Sequence, residues 1–271
     1  MADLYYLSMR SNAVGCVLGV NDVPLVVDSD GEGYVTDVPI LLWLKPGENR
    51  LTAYMTWPDG VPYEPGTAEL EASVFLHDPS QEAPTPLDTL ASFSWPIPGV
   101  PEAYPFPFER PFVVSRPIAT ELWDRAEVIE ELTDEDKRQI VALVEKLRAV
   151  IDAKDAEGAY ALQEFKYTED AVAEGKPPER IREAVIEQYQ WLFEQDHVRS
   201  DPLKLPQAQF RIVAGGQVVA VSRPNNVSAI SIEQRIPAPP DEEGEEAYEE
   251  GLAFGIDVYV SRIDGAWTIV R

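Results

Sequence analysis

The stretch GLAFGIDVYVSRIDGAWTIVR (residues 251–271) predicts two antiparallel strands joined by a tight turn. Apolar and polar residues alternate along its first half, which is the pattern of a strand with one buried face. Asp264-Gly265 favours a two-residue turn, because this pair accepts the positive φ angles that such a turn requires. The alternation places Asp257 and Tyr259 opposite Phe254, so we expect both side chains to lie on the outer face of the sheet.

The residues before this hairpin have a helical period. Thr133 and Asp136 predict a capping box at a helix start. A single apolar stripe then follows, formed by Ile140, Leu143, Val144, Leu147 and Ile151. Asp155 begins a second helical stretch, and Gly175 suits its end because glycine accepts the left-handed conformation.

A third helix begins at Pro177-Pro178 and ends near Glu194, because proline is tolerated at the first helical position. Strands are predicted after it at 207–214, 217–222 and 229–236. The second half of the chain is therefore predicted to be an α+β domain, with three helices packed on an antiparallel sheet.

Three helices, then antiparallel strands that end in G-x-W-x-I-V (Gly265–Val270), resemble the nuclear-transport-factor-two-like superfamily. The resemblance covers residues 133–271, and its most specific part is Tyr259–Val270. It implies a cystatin-like α+β cone, in which a bent sheet wraps the helices around an apolar pocket. The superfamily includes ketosteroid isomerases, scytalone dehydratase, polyketide cyclases and many modules that are not enzymes. The resemblance therefore implies a fold without implying a reaction.

The first half of the chain has the pattern of short strands. Turn residues separate the apolar runs, and no segment has a sustained helical period. The predicted strands are 4–9, 15–20, 23–27, 38–44, 50–57, 70–76 and 90–95, with a tight turn at Asn21-Asp22. This pattern predicts an all-β sandwich. The stretch LKPGENRLTAYM (44–55) resembles a turn of immunoglobulin-like modules.

Prolines become dense from Pro79 to Pro117, which excludes a helix or a central strand there. The same segment is rich in aromatic residues, so we expect an extended strap packed on the sandwich; a proline-rich ligand for another domain is the alternative. The predicted organisation is a sandwich domain at 1–115 with the strap at 79–117, a connecting segment at 116–132, and the α+β domain at 133–271.

The composition limits the partners of the protein. Its 271 residues include 48 acidic and 22 basic side chains, and the formal net charge is -26. A surface this negative repels phosphate backbones and anionic headgroups, so we expect neither nucleic acid nor membranes as partners. A cationic protein fits this charge, although many acidic proteins have no such partner.

The single cysteine, Cys16, cannot form an intramolecular disulfide, which favours a reducing compartment. The first residues, MADLYYLSMRSNAVGC, lack the basic and continuous apolar regions of a signal peptide. No apolar run reaches the roughly 20 residues of a membrane helix. We therefore expect a cytoplasmic protein, with Cys16 as a core residue rather than a nucleophile.

The sequence contains no catalytic motif that we can assign. The two histidines, His77 and His197, are far apart and have no cysteine pair, so a zinc site is not expected. The acidic run 28–32 lacks the spacing of a calcium loop. Asp257 and His197 were considered as a catalytic base, but the predicted outward position of the first and the helix-end position of the second argue against both. We expect no catalytic residue, metal or cofactor.

An acidic insert, PAPPDEEGEEAYEEG, lies between Ile236 and Gly251. It is either a solvated loop kept open by repulsion or a docking element for a basic protein surface. The candidate partner-binding residues are Asp241, Glu242, Glu243, Glu245, Glu246, Tyr248, Glu249 and Glu250. A homodimer through the exposed sheet face is a further expectation.

Two functions from different classes follow. The first is a non-catalytic acidic module that binds a cationic protein, as an inhibitor or an immunity-type protein of a bacterial toxin system does. The alternative is a small-molecule binder, or an isomerase or hydrolase-like enzyme, that uses the cone pocket and needs an ionisable group inside it.

Overall fold

The computed structural model describes residues 4–28, 31–57, 64, 66–100, 102–115, 120–195, 198–224, 227–238 and 247–271; for 235–238 and 247–252 it describes the backbone alone. Within these residues the protein is a mixed α+β structure that is mostly sheet, with 15 strands in four antiparallel sheets and five helices. The chain divides into two compact units, Met1–Ala119 and Thr120–Arg271. The helices all lie in the second unit, where the sequence has its helical period.

In its described residues the first unit contains eight strands: β1 (Tyr5–Asn12), β2 (Gly15–Val20), β3 (Val23–Asp28), β4 (Tyr34–Pro39), β5 (Gly47–Thr56), β6 (Glu69–His77), β7 (Pro86–Trp95) and β8 (Phe106–Val114). They form two sheets, with the orders β4-β1-β6-β7 and β3-β2-β5-β8. Side chains of both sheets meet in one hydrophobic core, among them Leu7, Leu18, Leu51 and Val74.

The β2–β3 hairpin has the turn that the sequence predicts. Asn21 and Asp22 have φ angles of 55° and 66°, the left-handed conformations of a two-residue turn. Asn21 Nδ2 also donates to Asn49 Oδ1 (2.9 Å), and the same oxygen accepts from Lys45 N (2.8 Å). The asparagine of the LKPGENRL stretch therefore ties two neighbouring turns together.

The strand predicted at 38–44 is wrong over most of its length. β4 ends at Pro39, and Leu41–Trp43 form a 3-10 turn. Pro39 has no N–H to donate to a further strand pair, which favours the end of the strand there. Ile40 and Leu44 are buried, so the apolar character of this stretch reflects burial at the end of the core.

The proline-rich segment 79–117 contains β7 and β8, and both are edge strands. An edge strand pairs on one side only, so it accommodates prolines that an interior strand excludes. The aromatic side chains pack on the core as expected: Phe93 and Phe112 are buried, and Trp95 Nε1 donates to Tyr104 OH (2.9 Å). The sequence predicts an extended strap over this segment, and the structure has a full strand there, β8, beside β5.

The second unit contains α1 (Leu122–Arg125), α2 (Asp134–Asp152), α3 (Ala156–Leu162), α4 (Glu164–Glu174), α5 (Pro178–Phe193), β9 (Val198–Ser200), β10 (Gln209–Val213), β11 (Val218–Ser222), β12 (Ile230–Ala238), β13 (Ala247–Ile256), β14 (Val258–Ile263) and β15 (Ala266–Ile269). Its described strands form two sheets, β10-β11-β14-β15 and β13-β12-β9. Helices and strands share one core, to which Ile140, Val185, Val219 and Ile232 contribute.

The helix signals of the sequence are confirmed at α2 and α5. Thr133 accepts from Asp136 N, and the Asp136 carboxylate accepts from Thr133 N, which is the predicted capping box. The buried stripe of α2 is Ile140, Val144, Leu147 and Ile151. Pro178 is the first residue of α5, and the helix ends at Phe193.

The second predicted helix is two helices. α3 and α4 are separated at Gln163, whose φ and ψ angles are -117° and 15°. Gly175 ends α4 with a left-handed φ of 62°, as predicted. α1 lies in the segment that was predicted to be a plain connection. Among the described residues, no helix combines the length and the apolar character needed to span a membrane.

The closing stretch of the chain takes part in both sheets of the second unit. Asp264 and Gly265 have φ angles of 52° and 80° and join β14 to β15, as predicted. The sequence predicts one continuous strand before this turn. That prediction is wrong, because the strand is interrupted at Asp257, between β13 and β14. β13 pairs with β12, whereas β14 pairs with β11 and β15.

Candidate functional site

Asp257 lies where the chain passes from one sheet to the other. Its side chain is exposed, as the alternation predicts, and Oδ1 accepts a hydrogen bond from Ser228 Oγ (2.7 Å). Gly255 permits this approach, because a Cβ at that position would lie 2.1 Å from Ser228 Oγ. Asp257 is therefore a hydrogen-bonded surface carboxylate at the start of β14, and it does not occupy the interior position that a buried catalytic base needs.

The outward position predicted for Tyr259 is wrong, because this side chain is only 8% exposed. Burial raises the pKa of its phenol. Ser261, two residues further, is fully buried and donates from Oγ to Gln217 O (2.7 Å). Gln217 Nε2 in turn donates to Trp123 O and Ala126 O, so the segment that leads into α2 packs against the strands. The alternation of apolar and polar residues along a strand cannot show that a distant segment of the chain covers its second face.

A buried ion pair joins α4 to Arg271, the second residue after β15. Arg271 Nη2 lies 3.2 Å from Glu169 Oε2, and each side chain is 5% exposed. Glu169 Oε1 accepts from Glu121 N (2.5 Å), just before α1. Burial lowers the pKa of the Arg271 guanidinium, and Glu169 acts against this shift. Both oxygens of Glu169 are used, so this carboxylate holds three segments together rather than facing a ligand.

Lys166 and Asp170 lie one turn apart on α4, and both are half-buried. Residues four apart share one face of a helix, yet neither side chain forms a salt bridge or a hydrogen bond with another described residue. Burial lowers the pKa of Lys166; Asp170 and Asp257 act against this shift, and Arg271 adds to it. Burial raises the pKa of Asp170, against the effect of Lys166 and Arg271. We call these two residues the Lys166–Asp170 pair.

Aromatic and amide groups fix the helix break beside this pair. Gln163 Nε2 donates to Tyr189 OH (2.7 Å) on α5, and Gln163 is 1% exposed. Tyr160 and Tyr167 stack across the break, with ring centroids 5.5 Å apart and planes within 7°. Lys166 Nζ lies 5.2 Å from the centroid of the Tyr167 ring. These contacts set the direction in which α4 leaves α3, and they thereby position the pair.

The histidine and cysteine side chains that the structure describes have structural contacts. His77 is buried, and its Nδ1 accepts from Thr85 N (3.1 Å) in the β6–β7 hairpin. Cys16 is buried with Sγ 3.5 Å from Met9 Sδ, and burial raises the pKa of its thiol to about 12. A thiol with this pKa is a poor nucleophile near neutral pH. His197 lies outside the described residues.

No metal site is visible in the part of the chain that the structure describes, where no three His, Cys, Asp or Glu side chains are placed to hold an ion. In the acidic run 28–32, Asp28 accepts from Ser11 Oγ (2.6 Å) and from Gly31 N (3.1 Å). One carboxylate oxygen thus bonds to the turn after β3 and the other to Ser11 on β1. Ser29 and Asp30 lie outside the described residues.

The acidic insert begins and ends within a hairpin. β12 and β13 pair from Ile230↔Ile256 to Ala238↔Ala247, so these strands are longer than predicted. β9 pairs with β12 only at residues 232–234. From Arg235↔Glu250 to Ala238↔Ala247, β12 and β13 thus have no third strand among the described residues; we call this part the ribbon.

The predicted partner-binding residues divide between the ribbon and its connection. Tyr248, Glu249 and Glu250 belong to β13 by their backbone. The remaining five lie in the segment that joins the two strands, outside the described residues: Asp241, Glu242, Glu243, Glu245 and Glu246.

Comparisons with protein-family models, with curated proteins and with solved structures each find no match to this chain.

Proposed function

We propose that the protein is a non-catalytic acidic module whose ribbon docks on a cationic partner protein, as an inhibitor or an immunity-type protein does. The register of β12 and β13 carries this proposal. It assigns an eight-residue candidate set, seven carboxylates and Tyr248, to a two-stranded ribbon and the segment that joins its strands. Two strands alone are marginally stable in water, so a ribbon of this kind gains stability when a partner covers it.

The charge of the chain supports a cationic partner. The net charge is -26, and many cations of the second unit are already paired within it: Arg125 with Asp264, Arg138 with Glu135, Arg148 with Glu145, Arg182 with Glu157 and Arg262 with Asp136. Each of these pairs offsets a cation that would otherwise repel a basic protein. The surplus of carboxylates accelerates encounter with a basic surface.

The proposal also includes the family resemblances of the two units. The common core of the two sheets in the first unit supports a β-sandwich with an immunoglobulin-like turn. Helices that share a core with two sheets, between which the chain passes at Asp257, support a nuclear-transport-factor-two-like cone for the second unit. Immunity-type proteins with that fold provide an analogy for the function, and the analogy alone is weak support. A homodimer would have to use a sheet face other than the one that buries Tyr259.

The test compares three forms of the full chain as bait in lysate of the cell that produces it. The first is unchanged, and the second has amides in place of the seven carboxylates of 241–250. The third is a matched control with amides at seven exposed carboxylates elsewhere: Glu82, Asp88, Asp124, Glu130, Glu131, Glu187 and Glu194. We expect the first and third forms to recover a basic protein, and the second to recover it poorly.

The association rate of the recovered protein is then measured at rising salt. Screening shortens the reach of charges to about 10 Å at 0.1 M salt, so we expect the rate to fall by about tenfold or more with the unchanged chain. The rate of the second form should be low and nearly independent of salt. Equal rates for the second and third forms, or recovery of no basic protein, would assign the insert to a solvated loop.

The Lys166–Asp170 pair favours a second candidate function. A small-molecule binder or an enzyme of the isomerase or hydrolase type needs an ionisable group inside the unit. Two half-buried groups with opposite pKa shifts meet this requirement in part. An activity screen on the unchanged chain and on a Lys166→Arg variant distinguishes this candidate, since only the candidate enzyme loses turnover.

A further inference from the structure

The Lys166–Asp170 pair differs from the other helical charges of the second unit. Arg148 and Asp152 have the same spacing on α2 and form an ion pair. Lys176, just beyond α4, pairs with Glu174 (2.5 Å). Lys166 and Asp170 are more enclosed than Lys176, yet both lack a hydrogen-bond partner among the described residues. Half-buried polar groups that lack a partner carry a cost, and a ligand with complementary groups removes it.

The surroundings favour a neutral amine at Lys166. Arg271, the second residue after β15, contributes a positive charge that disfavours the ammonium form, while the Tyr167 ring covers Nζ on one side (5.2 Å to the centroid). The carboxylates that face Lys166 are Asp170 on its own helix and Asp257 from the bend between β13 and β14. Burial outweighs these two carboxylates, so the pKa of the amine is lowered. A desolvated lysine of this kind is the usual nucleophile for carbonyl carbon.

We propose that Lys166 binds small aldehydes or ketones reversibly as an imine, with Asp170 as the proton donor. The amine nitrogen attacks the carbonyl carbon and the N–C bond forms, while the π electrons of the C=O bond move to oxygen. One proton then passes from the nitrogen to this oxygen, which gives a neutral carbinolamine. Asp170 then protonates the hydroxyl group, which leaves as water while the nitrogen lone pair forms the C=N bond. The nitrogen keeps one hydrogen, so the product is an iminium ion, and the Asp170 carboxylate faces it.

The charges around the site define the class of carbonyl compound. Asp257 is exposed and Glu169 is committed to Arg271, so an approaching ligand meets the Asp257 and Asp170 carboxylates. An anionic carbonyl compound is therefore repelled, and a neutral one is accepted. The Tyr167 ring offers an apolar contact for the rest of the ligand.

The test measures reductive trapping of the imine at each lysine of the intact protein. Propanal is added with cyanoborohydride near neutral pH, and peptide mass spectrometry gives the initial rate at Lys166 and at the six other lysines: Lys45, Lys137, Lys146, Lys154, Lys176 and Lys204. A lowered pKa raises the free-amine fraction near neutral pH, so we expect the rate at Lys166 to exceed the rate at every exposed lysine.

Lys45 provides the matched control within the chain. Burial lowers its pKa as well, and Arg50 adds to the shift, so Lys45 reports burial without Asp170. Asp170→Asn should slow trapping at Lys166 by about tenfold and leave Lys45 unchanged. Lys166→Arg keeps the charge and the fold, and it should abolish the extra label. Glyoxylate, an anionic aldehyde, should lose the preference for Lys166.

Two results would overturn the proposal. One is trapping at Lys166 that is no faster than at the exposed lysines. The other is an Asp170→Asn variant that keeps its native circular dichroism and traps propanal at Lys166 at the unchanged rate. Neither result bears on docking of the ribbon, which is tested with a protein partner.

Discussion

Replacing Glu169 by glutamine measures how strongly the buried Glu169–Arg271 pair stabilises the second unit. Glutamine keeps the size of the side chain and an oxygen that accepts from Glu121 N, but it removes the charge opposite Arg271. Removal of one partner from a buried pair costs about 3–5 kcal/mol, because the other charge remains buried without compensation. Asp170 also acts on Arg271 and offsets part of this cost, so we expect a loss of about 3 kcal/mol.

A double variant separates the charge from the packing. Glu169→Leu combined with Arg271→Met removes both charges and fills a similar volume. Replacing a buried pair by apolar side chains is often neutral, while Glu121 N loses its acceptor at about 1 kcal/mol. We therefore expect the double variant to be more stable than Glu169→Gln. This order of stabilities would show that Glu169→Gln leaves the buried charge of Arg271 uncompensated.

The free energy of unfolding is measured by urea titration with far-ultraviolet circular dichroism. This signal follows the second unit, because the described helices all lie there. The control is Glu157→Gln, which breaks a pair with Arg182 whose side chains are 62% and 47% exposed. An exposed pair contributes about 0–1 kcal/mol. If Glu169→Gln unfolds no more easily than Glu157→Gln, the buried pair does not hold α4 to the strands, and our account of this contact is wrong.

Three further predictions concern local contacts. Thr133→Ala removes the side-chain acceptor of Asp136 N (3.1 Å) and should lower the free energy of unfolding by about 1 kcal/mol. Thr133→Ser keeps the hydroxyl acceptor and should retain the stability. Equal urea midpoints for both variants would contradict the capping role. Gly255→Ala places a Cβ 2.1 Å from Ser228 Oγ and 2.4 Å from Ser228 Cβ, so we expect a loss of about 1–3 kcal/mol that a second change, Ser228→Gly, largely restores in thermal unfolding. Although burial raises the pKa of Asp136, hydrogen bonds from Thr133 and the charge of Arg262 lower it overall. The folded state therefore favours the ionised carboxylate, and this stabilisation is complete above the ordinary aspartate pKa of about 3.9 and is lost as the pH falls further. The difference in unfolding free energy between the unchanged chain and Asp136→Asn should shrink in this acid range. A difference that is constant with pH would refute the assignment.

The parts of the fold that the sequence predicts are those decided by local chemistry. The tight turns at Asn21-Asp22 and Asp264-Gly265, the capping box of Thr133 and the left-handed end of α4 at Gly175 all have the geometry expected from their residues. In each case one side chain or one φ angle determines the structure within a few residues. Such signals do not depend on which distant segment lies nearby.

The missed features depend on distant segments. Gln163 lies in a stretch of good helix formers, and the helix breaks there while its side chain bonds to Tyr189 on α5. Tyr259 has the alternation of an outward residue, but the second face of its strand is covered. The longer pairing of β12 and β13 likewise reflects a register that local sequence does not encode.

The Lys166–Asp170 pair shows why the candidate site was not predicted. A lysine and an aspartate four residues apart usually read as an exposed ion pair on a helix. Arg148 and Asp152 form an ion pair with this spacing on α2, and the two pairs cannot be told apart by spacing. The signals that distinguish Lys166 are the aromatic neighbours Phe165 and Tyr167 and the positive charge of Arg271, which lies about 100 residues away along the chain.

One strand, β13, connects the ribbon to the bend at Asp257 beside the Lys166–Asp170 pair. Glu250, the carboxylate of the insert that lies nearest to the bend along β13, is roughly 20 Å from Ile256 at about 3.3 Å per residue. That distance is well beyond the roughly 8 Å over which exposed charges act at physiological salt, so the carboxylates of the insert cannot set the reactivity of Lys166 by their field. We therefore expect amides at 241–250 to leave imine trapping at Lys166 unchanged in the free protein. A change on binding of the basic partner would instead have to travel through the strand, by a shift of Asp257 relative to Lys166, and would be seen as a partner-dependent trapping rate.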